Sequence, residues 1–268
     1  MSRLARPRAG AAPPYLTATL AKGLEVLEAL SAHESVSLTL LARELGISGP
    51  TLFRMLATLV DCGYAEKSPD TGRYRATLKG WAQGAAVLRR LTLRDVARPH
   101  LERLLMEARE APHLSVREGG EVVIIDRLEA PHPVRVETYL GQRVPLYCSA
   151  MGKAMLALEP EAALTAALLA APLVRHTPET LVDPQALQRA LRRVRRQGYA
   201  TNQEEWRRGV CAIAVAIAGP GGAAPASLSL TMPTERFQPA MLESRFLPAL
   251  RRAQQAIDRD LGAVARPG

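Results

Sequence analysis

The chain has 268 residues, 47% of them hydrophobic, enough for a buried core and about two domains of ordinary size. Lys and Arg number 35 against 26 Asp and Glu, a formal charge of +9, which favours an anionic partner. Three scattered cysteines, Cys62, Cys148 and Cys211, give neither a disulfide framework nor a paired metal motif, and fit a reducing cytoplasm.

Residues 1–17 hold Arg3, Arg6 and Arg8 among Pro7, Pro13 and Pro14, the composition of a disordered basic arm. They lack the apolar segment of a signal peptide. "TLAKGLEVLEALS" then places Leu20, Leu24, Leu27 and Leu30 on one helical face. "SVSLTLLARELG" repeats the pattern at Leu38, Leu41, Ala42 and Leu45, with Ser37 as N-cap and Gly46 as the stop. "SGPTLFRMLATLVDCG" starts with Ser48 as N-cap, carries Pro50 in its first turn and ends at Gly63. Its apolar stripe is Leu52, Met55, Leu56, Leu59 and Val60. "SPDTG" between two short alternating runs predicts a β-hairpin.

Helix, helix, tight turn, helix and hairpin is the order of a winged helix-turn-helix, whose second paired helix enters the DNA major groove. At about 100° per residue, Leu52, Leu56 and Leu59 cluster, and Arg54 falls nearly opposite with Pro50 and Thr51. That face would read DNA through Ser48, Gly49, Pro50, Thr51, Phe53 and Arg54. Lys67, Arg73 and Tyr74, with Arg75, would grip the backbone as a wing. The charge supports this: residues 1–94 hold 13 basic against 7 acidic side chains, net +6, while 95–268 hold 22 against 19, net +3.

"LKGWAQGAAVLRRL" predicts a linker helix and "RDVARPHLERLLMEARE" another helix. Beyond Ala111, "PHLSVREGGEVVIIDRLEAPHPVRVETYL" predicts three strands, and "SAMGKAMLALEP", "EAALTAALLAAP" and "DPQALQRALRRVRRQGY" predict helices. "CAIAVAIAG" and "PASLSLTM" predict adjacent strands, and the tail closes with a helix. The apolar run 154–174 is broken by Glu159, Pro160, Glu161 and Pro172 and is too short to span a bilayer, so no membrane partner is expected.

In order and spacing these blocks resemble the IclR family of transcriptional regulators along nearly the whole chain. The resemblance is carried by "LAKGLEVLEALS", "LARELGISGPTLFRMLATLVDCGYAEK" and "TGRYRATLKG", then by "GQRVPLYCSAMGKAMLAL", "RRQGYATNQEEWRRGVCAIAVAI" and "ASLSLTMPTERF". It implies an α+β protein. Its parts would be a basic arm (1–17), an N-terminal winged helix-turn-helix domain (18–78), a linker helix (79–94) and a C-terminal α/β GAF-like effector-binding domain (95–262). The implied partners are a double-stranded DNA operator, a second copy of the chain in a homodimer or homotetramer, and a small-molecule carboxylate effector.

The resemblance places that effector at Val136, Val144, Ala150, Met151, Asn202, Val210, Ala212, Ser229 and Thr231. Backbone N–H groups of the turn Ser149 to Gly152 would face the anion, and Ser229 and Thr231 would share a strand face. Where the family often has Lys-Ser before the recognition-helix threonine, this chain has Gly49-Pro50. Where an acidic residue and a cysteine are common, it has Asn202 and Ala212. The roomier, less polar site implies a larger acid, such as an aromatic one, rather than a two-carbon oxoacid. Binding would act on the operator through the linker helix around Trp81.

No cofactor, metal site or catalytic residue is expected. His113, His132 and His176 are too scattered for a metal and suit packing or surface roles. The rival class is a metabolite-processing enzyme with a basic appended helical domain. It would use Cys148, or the Glu204-Glu205 pair, but Cys148 has no spaced His and acid partner. Adjacent glutamates diverge on either strand or helix.

Overall fold

The computed structural model describes residues 16–88, 91–160, 173–217 and 226–264. The expected helix at 161–172 and nearly all of the basic arm lie outside these residues. The chain divides into two compact units at Arg90 and Leu91.

The first unit opens with α1 (Ala18–Ser31), α2 (Leu38–Leu45) and α3 (Gly49–Asp61). A hairpin of β1 (Ala65–Lys67) and β2 (Tyr74–Ala76) follows, then α4 (Leu78–Leu88). Ser37 caps α2 by accepting from Leu40 N, and Gly46 ends it in the left-handed conformation at φ 64°. Ser48 stands at the N-cap of α3 but makes no capping bond; its hydroxyl donates instead to Thr51 Oγ1 at 2.8 Å. Lys79 Nζ donates to Cys62 O at 2.7 Å, placing a cation where the helix dipole of α3 is negative. Cys62 itself is exposed, whereas Cys148 and Cys211 are buried.

The core of this unit is Val26, Leu30, Val36, Leu41, Leu52, Leu56, Ala65 and Tyr74. Two apolar assignments differ from the sequence pattern. Leu20 and Leu24 are 62% and 53% exposed, whereas Leu30 of the expected stripe is buried together with Val26 and Ala29. Val26 lies about 200° around the helix from Leu24, so Leu20 and Leu24 stand outside the face that packs. Val60 is also exposed, at the last turn of α3 beyond the reach of the core.

In the second unit α5 (Thr92–Ala108) leads into β3 (Ala111–Glu118) and β4 (Glu121–Arg127). After β5 (Arg143–Pro145), a 3-10 turn at Leu146–Cys148 enters α6 (Ala150–Leu156). Then come α7 (Pro184–Gln197), β6 (Ala200–Gln203), β7 (Val210–Ile217) and β8 (Ala226–Pro233). A π-helical turn at Leu242–Phe246 runs into α8 (Leu247–Val264). Pro248 cannot bond back to the carbonyl four residues before it, and the wider turn precedes it. The strands form one antiparallel sheet in the order β5-β4-β3-β8-β7-β6.

The third strand expected before Gly141 does not form, since residues 128–142 have no regular structure until β5. Pro131 and Pro133 lack the N–H that a ladder needs, and Val134, Tyr139 and Leu140 are exposed. The helical residues of the expected linker are divided, with 78–88 in α4 and 92–94 in α5.

The sheet is covered on both faces. Met151, Ala154 and Met155 of α6 and Leu187, Leu191 and Val194 of α7 pack with Val122, Ile124, Ala200, Ala212 and Ala214. The opposite parity of β7 and β8 meets α8. Gly152 sets the fit of α6, because a Cβ there would fall on the backbone carbonyl of Leu146.

Candidate DNA-reading surface and ligand site

The register of the hairpin is Ala65↔Ala76, Glu66↔Arg75 and Lys67↔Tyr74. Val36 and Tyr74 exchange backbone bonds of 2.8 Å in both directions, so the segment before α2 adds a third rung and fixes the wing to the helices. With Leu52 and Leu56 fully buried, α3 turns Ser48, Pro50, Phe53 and Arg54 outward, and Thr51 is half-buried. Phe53 is 50% exposed. Gly49 lies against Leu38 at the start of the helix.

The wing residues separate into different roles. Lys67 is exposed, with its ammonium 5.6 Å from the centre of the Tyr74 ring. Arg73 donates from Nε to Ser35 Oγ at 2.9 Å and from a terminal nitrogen to Ser35 O at 2.6 Å. Arg75 pairs with Glu66. Tyr74, expected at the DNA surface, is 3% exposed and belongs to the core. Its inward position follows from alternation on a strand, which turns Arg73 and Arg75 out and Tyr74 in.

In the second unit Asn202, Ala212 and Thr231 are lateral neighbours across β6, β7 and β8. Val210 shares their face by the two-residue period of a strand. Ser229 sits one pair along, opposite Ala214. Ala150 and Met151 pack in the same cluster as Ala212. Val144 does not join them: it pairs with Val122 on β5, three strands from β8. Val136 lies half-buried in the irregular segment 128–142.

Two further expectations change. The turn entering α6 is partly occupied, because Ser149 Oγ accepts from Gly152 N at 3.0 Å. Asn202 Oδ1 accepts from Glu205 N at 2.8 Å, which ties it to its own turn. Glu205 in turn pairs with Lys153 of α6. Lys153 is 4% exposed and Glu205 9%, so this charged pair is buried.

His113, assigned to packing by the sequence, is fully buried at the centre of the polar face. Its Nδ1 lies 3.1 Å from Thr231 Oγ1 and its Nε2 2.9 Å from Thr138 Oγ1. Burial, with the Arg127 charge beside it, pushes its pKa down to about 3. The signal was present in the alternation. His113 and Ser115 share one parity of β3, and Ser227, Ser229 and Thr231 share one parity of β8, while the residues between them, Leu114, Leu228 and Leu230, are apolar.

The residues considered for catalysis are otherwise engaged. Burial holds the Cys148 thiol up at about 12. Glu204 Oε1 accepts from Thr234 Oγ1 at 2.9 Å, while Glu205 pairs with Lys153. Among the described residues no group of three or more His, Cys, Asp or Glu could hold a metal ion, and no helix is long and apolar enough to cross a membrane.

A three-helix unit with an anchored wing and an outward arginine-bearing helix defines a helix-turn-helix DNA-binding protein. Residues 19–69 match the IclR helix-turn-helix domain, and residues 85–259 match the bacterial transcriptional regulator IclR C-terminal domain. The chain belongs to the IclR family and is a DNA-binding transcriptional regulator. It is 33% identical to the DNA-binding transcriptional repressor YiaJ of Escherichia coli, over 94% of this chain and 91% of that protein. It is 31% identical to the HTH-type transcriptional regulator XynR of Escherichia coli, over 91% of this chain and 97% of that one. Among solved structures, an IclR homologue complexed with 4-hydroxybenzoate from Microbacterium hydrocarbonoxydans is 30% identical. It superposes with a TM-score of 0.73 over 91% of this chain and 99% of that one.

Proposed function

We propose that this regulator reads its operator with the exposed face of α3 and that a small organic acid in the second unit modulates its operator affinity. The observation that carries the first half is the split of α3. Leu52 and Leu56 are fully buried while Phe53 and Arg54 stand in solvent. Arg54 is placed to take a guanine edge or a phosphate, Phe53 a thymine methyl, and Ser48 and Thr51 either partner. Gly49 and Pro50 let the backbone approach closely but contribute no side-chain donor. Lys67 contacts the backbone from the wing. Arg73 acts mainly by holding the wing on Ser35.

The second half is supported by the buried polar face around Ser229 and Thr231 and by the aromatic acid bound to the Microbacterium homologue. Exposed Leu20, Leu24, Trp81 and Val87 of the first unit suit burial by a second copy, and paired readers suit a partly palindromic operator. Effector binding changes the spacing of the paired readers through the helix bearing Trp81, a coupling between two sites.

The test is a fluorescence anisotropy titration on DNA from upstream of the protein's own and neighbouring genes, at two salt concentrations, with and without aromatic acids. Arg54→Ala weakens specific binding by about 1–3 kcal/mol if it reads a base. Equal, sequence-blind and salt-sensitive binding by both proteins defeats the reading of α3. Operator affinity unchanged by every acid that binds the protein defeats the coupling.

A further inference from the structure

The second unit holds a cavity of about 290 Å³ between the C-terminal end of α5, the segment 128–142 and the stretch 236–246 that runs into α8. None of its lining residues lies on a strand of the sheet or on α6 or α7. It is therefore separate from the face that carries Asn202, Ala212, Ser229 and Thr231.

Three arginines, Arg109, Arg236 and Arg245, line this cavity against a single carboxylate, Glu110. Glu110 is 3% exposed and already doubly bonded. Arg236 donates to it from Nε at 2.6 Å and from a terminal nitrogen at 3.0 Å. That pair neutralises itself, and Arg236 is held further by Val134 O at 2.9 Å. The other two guanidinium groups are not neutralised. Arg245 donates from Nε to the carbonyl of Glu107 at 2.8 Å, while the Glu107 carboxylate is taken by Arg252 at 2.7 Å. Among the described residues neither Arg109 nor Arg245 has an ion pair.

The backbone is unusual at both free arginines. Arg109 ends α5 in the left-handed conformation at φ 56°, where a side chain strains the chain and glycine is the common choice. Gly46 and Gly198 end α2 and α7 in that conformation. A residue needed only to stop the helix would be glycine here too, so the strain points to a use for the arginine. Arg245 stands in the π-helical turn Leu242–Phe246, and turns of this kind recur at functional sites. Phe246 of the same turn gives the cavity a buried apolar wall.

We propose that this cavity is a separate anion site, in which Arg109 and Arg245 bind a small dianion, either a dicarboxylate or a phosphate monoester. Each guanidinium presents a planar fork of donors that fits two oxygens of a carboxylate or phosphate, and two unpaired cations call for two negative charges. The volume suits a small metabolite, being at the low end for small-molecule pockets. The proposal stands whether or not the sheet face takes an acid.

The experiment is calorimetric titration of the full chain, at fixed ionic strength, with succinate and with glycerol 3-phosphate. Succinamate and glycerol serve as their less charged counterparts. Wild type is expected to bind at least one dianion about tenfold or more tighter than its counterpart; which one binds separates the two ligand classes. Arg109→Gly and Arg245→Gln each weaken that dianion by about 10- to 100-fold. Arg103→Gln removes the same charge from an exposed position of α5 outside the cavity. It should leave the affinity within about twofold, because charges in solvent are screened. Arg109→Gly also relieves the left-handed backbone, so this variant melts no lower than wild type while losing the ligand. Excess 4-hydroxybenzoate leaves the dianion bound. The proposal is overturned if neither dianion binds, or if the less charged counterpart binds as well. It is overturned too if either cavity variant binds as tightly as wild type, if Arg103→Gln weakens binding equally, or if 4-hydroxybenzoate displaces the dianion competitively.

Discussion

The two faces of the six-stranded sheet are both buried but differ in chemistry, because only the face toward α6 and α7 mixes polar side chains into its apolar cluster. One carries Leu114, Leu228, Leu230, Met232, Ile213, Val215 and Ile217, nearly all at 0% exposure. The other carries His113, Ser115, Ser227, Ser229 and Thr231, which are just as inaccessible. Burying hydroxyls and an imidazole costs free energy that leucines would not. A fold selected for stability alone would make both faces alike. The face toward α8 is held by apolar packing alone, whereas the face toward α6 and α7 adds a buried polar row to its apolar cluster, as the proposed ligand site would require.

That division can be broken by substitution at neighbouring positions. Leu230→Ala on the apolar face is expected to destabilise the second unit by about 2–5 kcal/mol, read as a lower melting temperature with ligand recognition intact in the folded fraction. A smaller melting loss there than at the polar face would reverse the assignment of roles.

The pH dependence sharpens the same contrast. The folded-state pKa of His113 is lowered from 6.5 to about 3, so between these values the unfolded chain binds more protons than the folded one. Stability from this group is complete above about pH 6.5 and is lost as the pH falls towards 3. Wild type should therefore lose melting temperature between pH 7 and pH 4 faster than His113→Gln. Parallel curves would show that the imidazole charges without penalty and is not buried as described.

Smaller effects follow within the polar face. Ser115 Oγ and Ser227 Oγ bond to each other at 2.7 Å. Ser227→Ala should cost about 1 kcal/mol, because it strands a buried hydroxyl, while the double change with Ser115→Ala should be nearly neutral. A double variant as unstable as the sum of the singles would mean the two hydroxyls serve different partners. Smallest of all, Ser229→Ala should change stability by less than about 0.5 kcal/mol, since no bond is lost within the described chain.

The helices of the first unit and the adjacency of β7 and β8 were legible because each rests on a local period bounded by caps. Ser37, Gly46 and Gly63 stand where the chain must turn, and Leu41, Leu52 and Leu56 recur at helical spacing. The leucine stripe of α1 misled in part because only packing decides between Leu24 and Val26. Segment 128–142 misled because its alternating residues resemble a strand, while Pro131 and Pro133 deny it a ladder. The inward turn of Tyr74 depended on the Val36 bridge, a contact across 38 residues of sequence. The place of His113 in the polar row was not legible because its neighbours, Arg127 and Ser229, are distant in sequence and meet it only through strand register. The parity of Ser, Thr and His on β3 and β8 was the one local sign of that face.

Cys62 has a practical consequence. It caps the C-terminal end of α3 with an exposed thiol, and the other two cysteines, Cys148 and Cys211, are buried. A thiol-reactive label would therefore mark one place on each copy, at the C-terminal end of α3. In a dimer on its operator, the distance between two such labels becomes a ruler for half-site separation. One turn of DNA is about 34–36 Å, a span that paired spin labels or fluorophores resolve, and a shift in that distance on adding an acid would display regulation as a length.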